Sequence, residues 1–204
     1  MAQERAIRTK AAVLTAARTV FARSGFDGAR VDEIAKVSGA NKQRIYANYT
    51  NKEGLFSAVQ NEAVETLASF EESLLPDIEA QPKRMGALLL SGYLQFHREH
   101  PEFWRLLAWS NLGTLAPAGK GGKRMTNIAR LRTVFVISQK AGGMPRESTF
   151  DAWFLTLTSV VVFLFANQRT ASVNLGLNLE DQATRERLAG EVLDLIGPRR
   201  AAKR

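Results

Sequence analysis

Lys42, Gln43, Arg44 and Asn48 crowd into one short polar stretch, and each carries groups that fit a nucleic acid. A guanidinium such as that of Arg44 can fork onto guanine O6 and N7, and a carboxamide such as Gln43 or Asn48 can do the same for adenine. Arg30, Tyr46, Tyr49 and Lys52 flank the stretch with donors suited to phosphate oxygens, contacts that set register without reading sequence. Other chemistry is thinly represented. His97 and His100 are the only histidines, three apart and near Glu99 and Glu102. That step puts two ligands on one helix face, but histidine near a helix C-terminus is also favoured by the helix dipole, and no third ligand is evident, so no metal and no cofactor are assigned. The absence of cysteine excludes disulfide scaffolds, thiol catalysis and thiolate metal sites. The sequence has no nucleophile elbow and no glycine-rich phosphate loop. The reading is therefore not an enzyme. The alternatives are a helical protein-interaction module or an enzyme without DNA binding, either of which would lack the steep salt dependence of phosphate contacts.

The charge distribution agrees with a polyanion-binding head. The 204 residues carry a formal charge of +8. Residues 1–55 hold ten basic and five acidic side chains, residues 56–197 hold fourteen and fifteen, and residues 198–204 hold four basic and none acidic. A basic head on a near-neutral body is the footprint expected of a nucleic-acid binder. The N-terminus has no apolar signal core. The most apolar run, Ala152 to Ala166, is shorter than the roughly 20 residues that span a bilayer. The expectation is a cytoplasmic protein with no membrane association.

The elements that must position these groups all read as helices. Ile7, Ala11, Leu14, Ala17 and Phe21 fall at three- and four-residue steps and predict helix 1 over about 5–23, with Gly25 as a left-handed stop. Val31–Ser38 predicts a second helix, and Lys42–Asn48 a third, capped by Asn41. Between them Gly39, Ala40 and Asn41 make a short glycine-containing turn, the proportions of a helix-turn-helix. Neither short helix could stand alone. Ile45 should therefore turn inward towards Ile34 and Ala35, leaving Lys42, Gln43, Arg44, Ala47 and Asn48 outward. Asn51 caps a fourth helix, predicted to end at Leu75 before Pro76. Further helices are predicted near 83–100, 102–112, 124–141, 148–169 and 180–196, with loops at 113–123 and 141–145.

The stretch from Ala11 to Phe56 resembles the tetracycline-repressor (TetR) family of bacterial transcription regulators. The resemblance rests on Ser24-Gly25-Phe26, Val31-Asp32-Glu33-Ile34-Ala35, Ser38-Gly39-Ala40-Asn41-Lys42, Ile45-Tyr46, Tyr49 and Asn51-Lys52-Glu53-Gly54-Leu55-Phe56, in order and without a gap. Three departures stand out. Ala29 and Arg30 replace the Thr or Ser usual before helix 2. Gln43 and Arg44 are larger than the family's common choice, which implies a base preference of their own. Ala47 and Asn48 stand where aromatic residues or histidine are commoner.

The resemblance implies an all-α chain. It would have an N-terminal three-helix helix-turn-helix domain (1–52), a C-terminal helical bundle for ligand binding and dimerisation (53–197) and a basic tail (198–204). It implies a homodimer on a pseudo-palindromic double-stranded operator, with recognition helices roughly 34–36 Å apart, and release by a small, largely apolar effector. The helix at 148–169 is apolar nearly all round, which suits burial on most sides. Trp153, Leu157, Val161 and Leu164, with Leu188, Val192 and Leu193 of the last helix, are the expected dimer contacts. The effector pocket is expected among Tyr93, Gln95, Phe96, Trp104, Trp109, Asn111, Phe135 and Trp153, with Ser110, Thr156 and Ser159 as further polar candidates, because small-molecule sites combine apolar walls with a few polar anchors.

Overall fold

The computed structural model describes residues 2–113, 115 and 122–198. Every regular element among them is helical: α1 (Ala2–Gly28), α2 (Val31–Ser38), α3 (Lys42–Tyr49), α4 (Lys52–Ala80), a 3-10 turn (Pro82–Arg84), α5 (Met85–Glu99), α6 (Phe103–Leu112), α7 (Lys123–Lys140), α8 (Phe150–Ala166), α9 (Gln168–Leu175) and α10 (Gln182–Leu195). The all-α class is as expected. Most of the loop expected at 113–123 and the tail beyond Pro198 lie outside the described residues.

The helices gather into two units, with α4 contributing to both. In the first, α1–α3, the start of α4 and α6 share one core. Phe21, Ile34, Ile45, Leu55 and Phe56 are its fully enclosed large side chains. Phe21 and Phe56 meet edge to face at 4.9 Å, and Phe26 lies 5.4 Å from Phe56. Each such side chain contributes about 1.5–3 kcal/mol by leaving water, which is how helices of eight residues persist. Gly25 interrupts α1 with φ +68° and ψ −176°, a backbone region open essentially only to glycine. A side chain there would also collide with Trp109, whose ring lies 2.8 Å from the would-be Cβ.

The second unit joins the rest of α4 to α5 and α7–α10. Phe135, Phe150 and Trp153 cluster with centroids 5.4–5.7 Å apart. Two boundaries differ from expectation. Helix α4 does not end at Leu75 but continues through Pro76 to Ala80. Proline deprives the helix of one hydrogen bond, but Leu75 and Ile78 on either side are completely buried, and Glu79 is held by both Nε and Nη2 of Arg130 at 2.9 and 2.8 Å. The helix expected at 148–169 is two. Helix α8 starts at a Thr149 cap, whose hydroxyl accepts from the Ala152 N–H, and the chain turns 84° into α9. No single described helix is long and apolar enough to cross a membrane; the bent pair α8 and α9 passes by composition only when joined.

The inner face of α8 corrects one expectation. Trp153, Leu157, Val161 and Leu164 are 1–5% exposed within a single chain, so they are core residues with no surface left to offer a second copy. The apolar residues that α8 leaves outside are Leu155 and Phe163, 66% and 49% exposed. On α10, Leu188, Val192 and Leu193 are half-buried.

Candidate nucleic-acid interface

Helix α3 presents the polar row and hides the rest. Ile45 is fully buried and Tyr49 nearly so, while Lys42, Gln43, Arg44, Tyr46, Ala47 and Asn48 are exposed. The orientation follows from spacing: positions 45 and 49 are one turn apart and both apolar, so they turn to the core together. Asn41 caps the helix, its Oδ1 accepting from the Arg44 N–H at 2.8 Å. The closing end is tightened by Thr50, which takes φ +66° and donates its N–H to the Tyr46 carbonyl at 2.8 Å. Glycine is needed at 54 because the chain passes so close: a Cβ there would stand 2.2 Å from the Tyr49 oxygen.

The outward groups differ in how they are held. Asn48 donates from Nδ2 to the Arg44 carbonyl at 2.8 Å. Among the described residues no ion pair or side-chain hydrogen bond engages the Gln43 carboxamide or the Arg44 guanidinium. Lys42 is paired with Asp32 of α2 at 2.6 Å, and the hydrogen bond to that carboxylate raises its pKa above the ordinary lysine value. Arg30 is exposed at the N-cap of α2 and makes no side-chain cap bond; its carbonyl accepts from the Glu33 and Ile34 N–H groups. The ammonium of Lys52 lies 3.4 Å from the Asp27 carbonyl oxygen and 4.6 Å from the Phe26 ring centroid.

Tyr49 stands apart from the other candidates. Its ring is buried and its hydroxyl donates to the Lys10 carbonyl of α1 at 3.2 Å, which leaves it inside the unit rather than on the polar row. Burial, with a smaller effect from the Glu62 carboxylate, pushes its phenol up to about 12. Sequence reasoning missed this tether, since nothing at Lys10 marks its carbonyl as an acceptor.

The aromatic candidates of the body divide between the units. Trp104, Trp109 and Asn111 sit on α6 in the first. There the Trp109 indole N–H donates to the Ala22 carbonyl at 3.3 Å, and Gln60 is hydrogen-bonded to Ser110. Tyr93, Phe96, Phe135 and Trp153 are buried in the second. Gln95 is in the second unit but exposed, donating to Glu99 at 3.0 Å; Thr156 and Ser159 are also exposed. Three of the eight candidates thus belong to the first unit and five to the second. Among the buried polar residues that sequence reasoning overlooked is Glu71, 1% exposed. Its signal was legible, an acid within the apolar stripe Leu67, Ala68, Leu75 and Ile78 of α4.

Comparison with known proteins fits this geometry. Residues 13–59 match the family model for bacterial regulatory proteins of the tetR family, and residues 82–196 match the tetracyclin repressor-like C-terminal domain. The HTH-type transcriptional repressor NicS of Pseudomonas putida is 27% identical over 88% of this chain and 86% of its own length. The repressor SCO4008 of Streptomyces coelicolor is 41% identical over 51% of this chain and 50% of its own. A solved TetR family transcription regulator from Marinobacter aquaeolei shares the fold, with a TM-score of 0.69 at 17% identity over 97% of this chain and all of that one. With its C-terminal match alone covering more than half of its length, the chain belongs to the tetracycline-repressor family of DNA-binding transcription regulators, which are not enzymes.

Proposed function

We propose that this regulator is a ligand-responsive repressor that binds a pseudo-palindromic operator as a homodimer in the cytoplasm. The observation that carries the reading is the outward row of α3. Gln43 and Arg44 are exposed and uncommitted on a helix whose inner side is fixed by Ile45, which is what base readout in the major groove requires. Lys42, Asn48, Tyr46, Arg30 and Lys52 supply backbone contacts around it. Head residues 1–52 serve DNA and residues 53–197 serve sensing and pairing. The dimer contact we assign is the outer side of α8, around Leu155 and Phe163, with Leu188, Val192 and Leu193 of α10. The effector occupies the aromatic interior of the second unit, near Tyr93, Phe96, Phe135 and Trp153. It acts by population shift: it removes the protein from DNA only to the extent that it binds the released state better than the DNA-bound state.

Selection of bound fragments from randomised DNA by the purified protein, at two salt concentrations, tests the reading. An enriched palindrome whose binding weakens steeply with salt is the expected result. Salt-sensitive binding with no enriched motif would overturn the operator, and no binding at either salt would overturn the interface on α3.

A further inference from the structure

Three arginines of α7 reach acids of the second unit, and the pairs are unequal. Arg130 grips Glu79 through two hydrogen bonds of 2.9 and 2.8 Å, and Arg132 grips Asp151 through two of 3.0 and 2.6 Å, all with side chains at least 39% exposed. Arg124 meets Glu71 only through Nε, at 3.4 Å. Yet the Glu71 side chain is wholly buried while Arg124 is 37% exposed. The best-made pairs are on the surface, where they are worth little. The poorest is in the interior, where an incompletely paired carboxylate costs most.

The other neighbours of Glu71 do not complete its shell. The Tyr93 hydroxyl donates to the same Oε1 at 2.9 Å. Asn127, buried beside it, donates to the Ala68 carbonyl at 2.7 Å and, as a neighbouring donor, also draws the Glu71 carboxyl's pKa down. Oε2 is buried and has no hydrogen-bond partner among the described residues. The Tyr93 ring that reaches Glu71 packs in turn against Phe154 at 6.2 Å. Burial of such a group is weak evidence of a stabilising role, since buried ion pairs are often no more stable than apolar residues of similar size. A buried carboxylate oxygen without a hydrogen-bond partner, next to the Tyr93 ring, is what a cationic ligand with a donor head requires.

We infer that Glu71 is the counter-charge for a small ligand with a flat apolar body and a cationic, hydrogen-bond-donating head, and that Arg124 is an internal stand-in for that head. The ligand's head takes Oε2 and displaces the single long contact from Arg124, whose partly exposed side chain swings into solvent at little cost. This inference rests on the effector reading above and narrows it from an apolar compound to an apolar cation.

Benzamidine, benzamide and benzoate share one shape and differ in charge, so they isolate the head group. Calorimetric titration of the full-length protein without DNA should give benzamidine at least tenfold tighter than benzamide, and benzoate weakest. Glu71→Gln should bring benzamidine to within about twofold of benzamide, and Arg124→Gln, which removes the competing cation, should tighten benzamidine threefold or more. Equal binding of benzamidine and benzamide to the unaltered protein would overturn the inference, and that comparison stands even if a variant fails to fold. An advantage that survives Glu71→Gln would overturn it too, by locating the cation elsewhere. Operator release is measured separately: benzamidine binding without release would uphold the site and sink its effector role, whereas release by another compound with no benzamidine binding would sink the site and leave the regulator.

Discussion

The indole of Trp109 lies against the break in α1 at Gly25, and its N–H donates to the Ala22 carbonyl at 3.3 Å. The α6 indole thus donates to a carbonyl just before the break in α1, and the missing side chain at 25 makes room for the ring that does so.

Gly25→Ala should therefore destabilise the first unit twice over, through a φ of +68° and through the collision with Trp109. A loss of about 1–3 kcal/mol is expected from the backbone alone. Urea unfolding of Gly25→Ala with and without Trp109→Leu separates the two. The second change should recover the collision but not the strain, and full recovery would mean the backbone there is relaxed.

Arg44→Ala should lose about 1–3 kcal/mol on the selected operator and relax preference at one base pair. Equal losses on operator and unrelated DNA, measured by fluorescence anisotropy, would make Arg44 a backbone contact.

Tyr49 gives the head a weakness at high pH. An acid whose folded pKa is raised, here from 10.0 to about 12, holds its proton in the folded state after the unfolded chain has released it. Its contribution is whole below pH 10 and is lost as pH climbs towards 12. Unfolding free energies measured from pH 9 to 11.5 should fall more steeply for the unaltered protein than for Tyr49→Phe. Parallel curves would mean the phenol is solvated.

Glu71 works in the opposite range. Burial holds its carboxyl above the ordinary value, against the pull of Arg124, the Tyr93 hydroxyl and the Asn127 side chain. A carboxyl so raised stabilises the fold while protonated and ceases to do so as pH rises through its folded value. Glu71→Gln should thus gain stability relative to the unaltered protein at pH 7.5, by about 1 kcal/mol per unit of displacement, and the gain should vanish near pH 4. A gain of equal size at both pH values would exclude ionisation as its source.

Leu155→Glu tests the outer side of α8. It should leave the fold intact and give a monomer in sedimentation, because the residue is 66% exposed and a charge there would be buried only by a partner. Val161→Glu, on the enclosed side, should instead unfold the second unit. A dimeric Leu155→Glu would move the contact off α8.

The head was the most legible part of this protein because its signals are local. Asn41 before Lys42, Gly39 after Ser38 and the four-residue step from Ile45 to Tyr49 each act within a turn or two, and α2 and α3 fall where those residues put them. What the spacing did not reveal was long-range. The Tyr49 hydroxyl finds an acceptor 39 residues away at Lys10, and the side of α8 that faces its own core could not be told from its other side, because the helix is apolar nearly all round. The turn into α9 carries no proline or glycine, only Asn167, which accepts helical and bent geometry alike. Pro76 misled for the converse reason: a strong local stop was overridden by the packing of Leu75 and Ile78.

The pairing of Lys42 with Asp32 changes what an operator would gain from that lysine. An ammonium already matched to a carboxylate brings no free charge to a phosphate; it changes partners, and the abandoned Asp32 is left facing a polyanion. Lys42 would then add less to the strength of attachment than a free lysine, and would favour those placements of the head in which a phosphate lies near enough to replace the resident acid.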